Sequence, residues 1–135
     1  IDRCSLHQCT HAVQGSDAKR WRNEMSRNKA KGTAFETLVV RWLTENGFPY
    51  AERRALAGTH DLGDITGMPG LVIECKNHKT LSFSEWLEEA AVERANASAD
   101  YGIVVAKRRG KGDAGDQYAV MRLEDLARLL KDAGY

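Results

Sequence analysis

Leu71-Val72-Ile73-Glu74-Cys75-Lys76 is the stretch that decides how this chain folds. It follows Gly67-Met68-Pro69-Gly70, a strong turn signal, and it is rich in β-branched and aliphatic residues, so it reads as a strand. Side chains two apart on a strand share a face. Val72, Glu74 and Lys76 therefore share one face, and Leu71, Ile73 and Cys75 the other. A glutamate and a lysine closing an otherwise apolar strand are costly if buried without partners. Either this strand end is exposed or the pair serves a site. Just upstream, Gly63-Asp64-Ile65 puts another carboxylate immediately before the turn, and a tight turn between adjacent strands can bring Asp64 close to Glu74.

Working outward, Phe35, Leu38, Val39, Trp42 and Leu43 repeat with helical spacing and predict one apolar stripe. Thr33 is the predicted N-cap and Gly47 the stop. Short extended segments are expected at 50–55 and 61–66. A second helix is expected over 84–96 with Phe83, Trp86, Leu87, Ala90 and Ala91 inward. Gly102-Ile103-Val104-Val105-Ala106 reads as a buried strand. A further strand at 117–121 and a helix at 123–131, with Leu126, Leu129 and Leu130 inward, complete the chain. The order is α-β-β-β-α-β-β-α. Three leading strands predict an antiparallel meander, and the β-α-β step a right-handed parallel crossover. The fold class is α/β, a mixed central sheet flanked by helices. Residues 1–24 are polar and lack periodicity. Met25-Ser26-Arg27-Asn28-Lys29 reads like a start followed by a basic arm, so 1–29 is expected to be an extension and 30–135 the compact domain.

Composition narrows the function classes. The chain has 135 residues, the size of one ordinary domain, with 42% hydrophobic and 29% charged residues. Lys+Arg is 20 and Asp+Glu 19, a net charge of +1. That excludes a polycation and, taken globally, counts mildly against nucleic acid. The charges are segregated, however. Lys19, Arg20, Arg22, Arg27, Lys29 and Lys31 form one basic run, Lys107, Arg108, Arg109 and Lys111 a second, and Glu85, Glu88, Glu89 and Glu93 an acidic one. Each run taken singly reads equally as a solvated face. No apolar run approaches the ~20 residues of a membrane helix, and no secretory leader is visible. Three cysteines, with Cys75 far from Cys4 and Cys9, do not make a disulfide framework and suit a reducing, cytoplasmic setting.

Two carboxylates brought together repel unless a cation lies between them, and oxygen ligands favour hard ions such as Mg²⁺. A cation held this way acidifies water and offsets charge on a phosphate oxygen. Lys76 adds positive charge where a phosphoryl transition state gains negative charge. Asp64, the nine residues 65–73, then Glu74-Cys75-Lys76 resembles the D-(x)n-E-x-K signature of PD-(D/E)XK nucleases. The preceding Lys31-Gly32-Thr33-Ala34-Phe35-Glu36 resembles the opening helix of archaeal-type and phage Holliday junction resolvases.

This resemblance, over roughly residues 30–107, implies a restriction-endonuclease-like core with an added C-terminal strand and helix. It implies a Mg²⁺-dependent endonuclease for branched double-stranded DNA, with Mn²⁺ able to substitute, working as a homodimer. Asp64, Glu74 and the Cys75 backbone carbonyl would be metal ligands, Lys76 the charge-stabilising lysine, and Glu36 a further or outer carboxylate. Arg53 and Arg54 would meet DNA phosphate, as would the basic residues Arg27, Lys29, Lys31, Lys107, Arg108 and Arg109. Gly63 stands where the family name has proline. Restriction, repair or flap-type enzymes share the core, and a non-catalytic DNA-binding module on the same fold is the alternative from another class.

Several residues keep a second reading. Glu36 also completes a Thr33-x-x-Glu36 capping box, Glu74 and Lys76 also suit a surface cross-strand pair, and Asp61 competes with Asp64 for the same role. Cys4, His7, Cys9 and His11 are zinc-type donors, but their spacing fits no knuckle or finger, which argues against zinc. Arg109-Gly110-Lys111-Gly112 lacks the P-loop pattern. Trp42 and Trp86 are expected in the core. Trp21, Phe48 and Tyr50 are candidates for a dimer contact.

Overall fold

The computed structural model describes residues 15–55 and 61–135. The chain divides into two units, Ile1–Ala30 and Lys31–Tyr135. Within the second, short strands β1 (Glu52–Arg53) and β2 (Ile65–Thr66) lead into β3 (Leu71–Lys76), and β4 (Tyr101–Ala106) and β5 (Tyr118–Val120) complete one sheet in the order β1-β2-β3-β4-β5. β1–β2, β2–β3 and β4–β5 are antiparallel, while β3 and β4 run parallel from Leu71↔Tyr101 to Lys76↔Ala106. Helix α1 spans Gly15–Glu45, α2 Phe83–Asn96 and α3 Leu123–Asp132. The molecule is thus α/β, with a five-stranded mixed sheet flanked by helices, and the expected meander and parallel step are both present.

Alternation along β3 sorts the core into two layers. On one face Ile73 and Cys75 pack with Ile65 and Ala51 under Phe35 and Val39 of α1. On the other, Val104 and Ala106 of β4 pack under Trp86 and Ala90 of α2. Ile65, Val72 and Val104 are all but fully buried, each stabilising the fold by about 1.5–3 kcal/mol. Gly67 makes the turn between β2 and β3 possible. It sits at φ +86°, and a Cβ there would lie 1.7 Å from the Tyr50 carbonyl oxygen.

Three expectations are corrected. The first helix begins at Gly15, far upstream of Thr33, so Thr33 lies inside it and there is no Thr33–Glu36 capping box. Residues 15–30 mix helix formers (Ala18, Lys19, Arg20, Arg22, Glu24, Met25, Arg27, Lys29, Ala30) with Gly, Ser and Asn and carry no apolar stripe, which is why periodicity missed them. Trp42 stays 38% exposed, its indole nitrogen against the Gly115 turn rather than in the core. On α3, Leu126 and Leu130 are also exposed, and the buried residue is Asp125. It accepts from Arg122 Nε at 3.3 Å and Arg128 Nη2 at 2.7 Å, so a polar anchor replaces the expected leucine contact.

Candidate active site

The end of β3 gathers the acidic residues. The Asp64 N–H donates to the Ile73 carbonyl at 2.9 Å, continuing the β2–β3 ladder by one residue. The Cys75 N–H in turn donates to Asp64 Oδ2 at 2.8 Å. N–H and C=O of one strand residue point the same way, so the Cys75 carbonyl also faces the Asp64 side of the strand. Gly63 sits at φ +88°, and its Cβ would lie 2.7 Å from Val72. Proline, locked near φ −65°, cannot occupy that position. The glycine is required by this turn.

Glu74 and Lys76 share the α2 face, as alternation predicts. Lys76 Nζ lies 3.3 Å from Glu74 Oε1 and 2.5 Å from Glu89 Oε2 on α2. The solvated-pair reading fails for Glu74, which is only 8% exposed. Burial, with the charges of Asp64 and Glu93, pushes its pKa up from 4.5 to about 9. Burial raises Asp64 too, against the pull of the Cys75 N–H and with the Glu36 charge adding. For Lys76 burial works downward but is outweighed by the Glu89 hydrogen bond and Glu74 charge, so the ammonium is held firmly protonated. The buried Cys75 thiol is pushed up and stays protonated.

Two residues were missed as partners of this site. Glu93 of α2, which the sequence places in an acidic run that reads equally as a solvated face, is 3% exposed. Its carboxylate, that of Glu74 and that of Asp61 have oxygens within 4.8 Å of one another. Neither Glu74 Oε2 nor Glu93 Oε2 meets an N–H or hydroxyl donor among the described residues, and the two carboxyls are hydrogen-bonded to each other through a proton. Burial, with the charges of Asp61 and Asp64, raises Glu93 to about 7. The signal was present: Trp86, Ala90 and Glu93 fall at i, i+4 and i+7 on one helical stripe. Glu89 gave no such signal, because its role depends on where Lys76 ends.

The arginines separate by face. Arg53 Nε donates to Glu36 Oε2 at 2.7 Å, so Glu36 enters the site region already paired. Arg54 instead lines a cleft with Thr66, Gly70 and Ala97–Ala99, and its buried Nε lacks a partner among the described residues. Lys31, Lys79, Lys107, Arg108 and Arg109 line a second cleft of about 470 Å³, with Asn77, His78 and Tyr118. His78 and Lys79 also line a groove that reaches Lys76 and Glu89. The basic cleft is therefore contiguous with the groove at Lys76 and Glu89. Arg27 and Lys29 are exposed on α1 within the first unit. Cys4, His7, Cys9 and His11 lie outside the described residues. Trp21, Phe48 and Tyr50 are exposed at 63%, 44% and 80%. No described helix is long and apolar enough to cross a membrane.

Comparison with family models, with curated proteins and with solved structures yields no match for this chain.

Proposed function

We propose that this chain is a Mg²⁺-dependent endonuclease of the PD-(D/E)XK type, with a restriction-endonuclease-like core, that cuts branched double-stranded DNA, Holliday junctions above all. The observation that carries the reading is the meeting of Asp64, Glu74 and Lys76 at the end of β3, with Cys75 N–H on Asp64 and Lys76 on Glu74. The order α1-β1-β2-β3-α2-β4 accords with it. So does the basic cleft whose lining continues toward Lys76, since its cations suit phosphates and would read DNA shape rather than sequence. Homodimerisation, which lets two sites make paired nicks, belongs to the same reading.

The residues present fit a hard divalent ion. The Asp64 and Glu74 carboxyls, both held above their ordinary range by burial and by neighbouring carboxylates, are what such an ion relieves. Asp64, Glu74 and the Cys75 carbonyl would hold it, with Glu36 nearby, and Mn²⁺ has the same ligand preference. Bound there, it would supply Lewis acidity to water and to a phosphate oxygen. The chain's own part is to place the scissile phosphate and supply fixed charge. Lys107, Arg108 and Arg109 anchor flanking phosphates, and His78 and Lys79 lead the strand toward Lys76. The Lys76 ammonium, oriented by Glu74 and Glu89, offsets the charge that grows on the phosphoryl oxygens as water attacks phosphorus and the bond to the sugar oxygen breaks.

The test is incubation with Mg²⁺ and matched four-way, flap, duplex and single-stranded DNA, followed by mapping of the cuts. Cleavage confined to branched substrates, lost in Asp64→Asn and Lys76→Ala with binding retained, is expected. Full activity in either variant sinks the proposal.

A further inference from the structure

We propose that Asp61, Glu74 and Glu93 form a divalent-cation site of their own, on the α2 face of the sheet, with Glu74 shared between it and the Asp64 side. The proposal extends the nuclease reading by one cation position, but the site itself needs no nucleic acid. Three carboxylates lie with oxygens within 4.8 Å of one another. Proximity of acids alone is common, and the second observation is what separates this cluster. Glu93 is 3% and Glu74 8% exposed, and neither Oε2 meets an N–H or hydroxyl donor among the described residues, so the only donor open to them is a proton shared between the two carboxyls. A buried carboxylate oxygen left unpaired costs on the order of 1–3 kcal/mol or more. Glu74 and Glu93 lie close enough to share one proton, which a divalent ion would displace.

Among the described residues the one ammonium at hand, that of Lys76, does not meet the need. Lys76 Nζ reaches Glu74 Oε1 at 3.3 Å and is drawn more closely to Glu89 at 2.5 Å. It contacts the oxygen of Glu74 that is not orphaned. The third ligand is held in place: Asp61 Oδ1 accepts from the Gly63 N–H at 3.1 Å, and the Asp61 carbonyl accepts from Asn96 Nδ2 at 3.1 Å. The last contact ties the Asp61 loop to the end of the helix that carries Glu93. Asp61 is exposed, which leaves an approach from solvent and room for water ligands. Oxygen-only donors with open water positions select a hard ion, Mg²⁺ or Mn²⁺, and not zinc.

The experiment titrates Mn²⁺ into the full chain without DNA, counting free Mn²⁺ by electron paramagnetic resonance. Wild type is expected to bind Mn²⁺. Glu93→Gln should lose one equivalent or weaken binding at least tenfold, and exposed Asp61→Asn should weaken it in the same sense, while Asp64→Asn keeps that equivalent. Melting in chelator checks that Glu93→Gln folds, and Asp61→Asn carries the test alone if it does not. Unchanged Mn²⁺ binding in both Glu93→Gln and Asp61→Asn overturns the site, as does a wild type that binds no Mn²⁺ at millimolar concentration. Wild type that binds Mn²⁺ through Glu93 yet cuts no DNA overturns the nuclease reading alone.

Discussion

Replacing Glu74 by glutamine should stabilise the metal-free protein, although it removes a charged residue from the middle of the candidate site. The side chain keeps its size and loses its titratable proton. In the folded chain burial and the charges of Asp64 and Glu93 hold the Glu74 carboxyl at about 9, against 4.5 when unfolded. Between those values the folded state keeps a proton that the unfolded state has released, so stability falls as pH rises. Each pH unit above 4.5 costs about 1.4 kcal/mol, which makes about 3 kcal/mol at pH 7. Glutamine has no proton to lose and escapes this cost. For a domain of this size that is on the order of 10 °C in Tm. Thermal melts by circular dichroism in chelator should show the gain at pH 7, its disappearance near pH 4, and its growth toward pH 9. An equal or lower Tm for Glu74→Gln at pH 7, with no pH dependence of the difference, would refute the buried, repelled carboxyl on which the metal argument rests. Mn²⁺ at a thousand times its Kd should reverse the order, since it would stabilise the wild type by about 4.1 kcal/mol.

Other outcomes test the remaining parts. Neutralising Lys107, Arg108 and Arg109 together should weaken four-way-junction binding and flatten the plot of log affinity against log salt by about 3. A slope unchanged in a fluorescence anisotropy series removes this cleft as the DNA path. Asp125→Asn should destabilise by about 1 kcal/mol, discounted for the exposure of its arginine partners. Burial of Asp125 pushes its carboxyl up, but hydrogen bonds from Arg128 and Arg122 outweigh it, so it titrates below 3.8. The stability it adds is present above 3.8 and lost as pH falls through the lowered value. A denaturant series from pH 7 to 3 should find the two proteins converging at the acid end. Gly67→Ala should cost well over 1 kcal/mol, because the added Cβ meets the Tyr50 carbonyl at 1.7 Å in a left-handed turn. Wild-type stability in this variant would mean that the β2–β3 turn is placed wrongly.

Local chemistry made much of the molecule legible in advance. The 71–76 strand, the turn before it, the α2 stripe and the parallel partner at 102–106 all follow from period and turn residues, which act over a few positions. So did the shared face of Glu74 and Lys76, which needs only the pleat of one strand. The elements that resisted prediction lacked such a signal. Residues 15–30 form helix without an apolar stripe, and α3 carries leucines at helical spacing yet anchors through Asp125. What only the tertiary structure decided is which acids meet. Glu93 lies 19 positions beyond Glu74 on another element, and Asp61 lies across the turn. Their approach depends on how α2 lies on the sheet and on the Asn96–Asp61 hydrogen bond. The sequence alone determined the strand that presents Glu74 and Lys76. Packing against α2 decided between the two readings of that pair, exposed strand end or site, and set Glu74 in a buried acidic cluster, because burial and repulsion arise only when distant segments share one space.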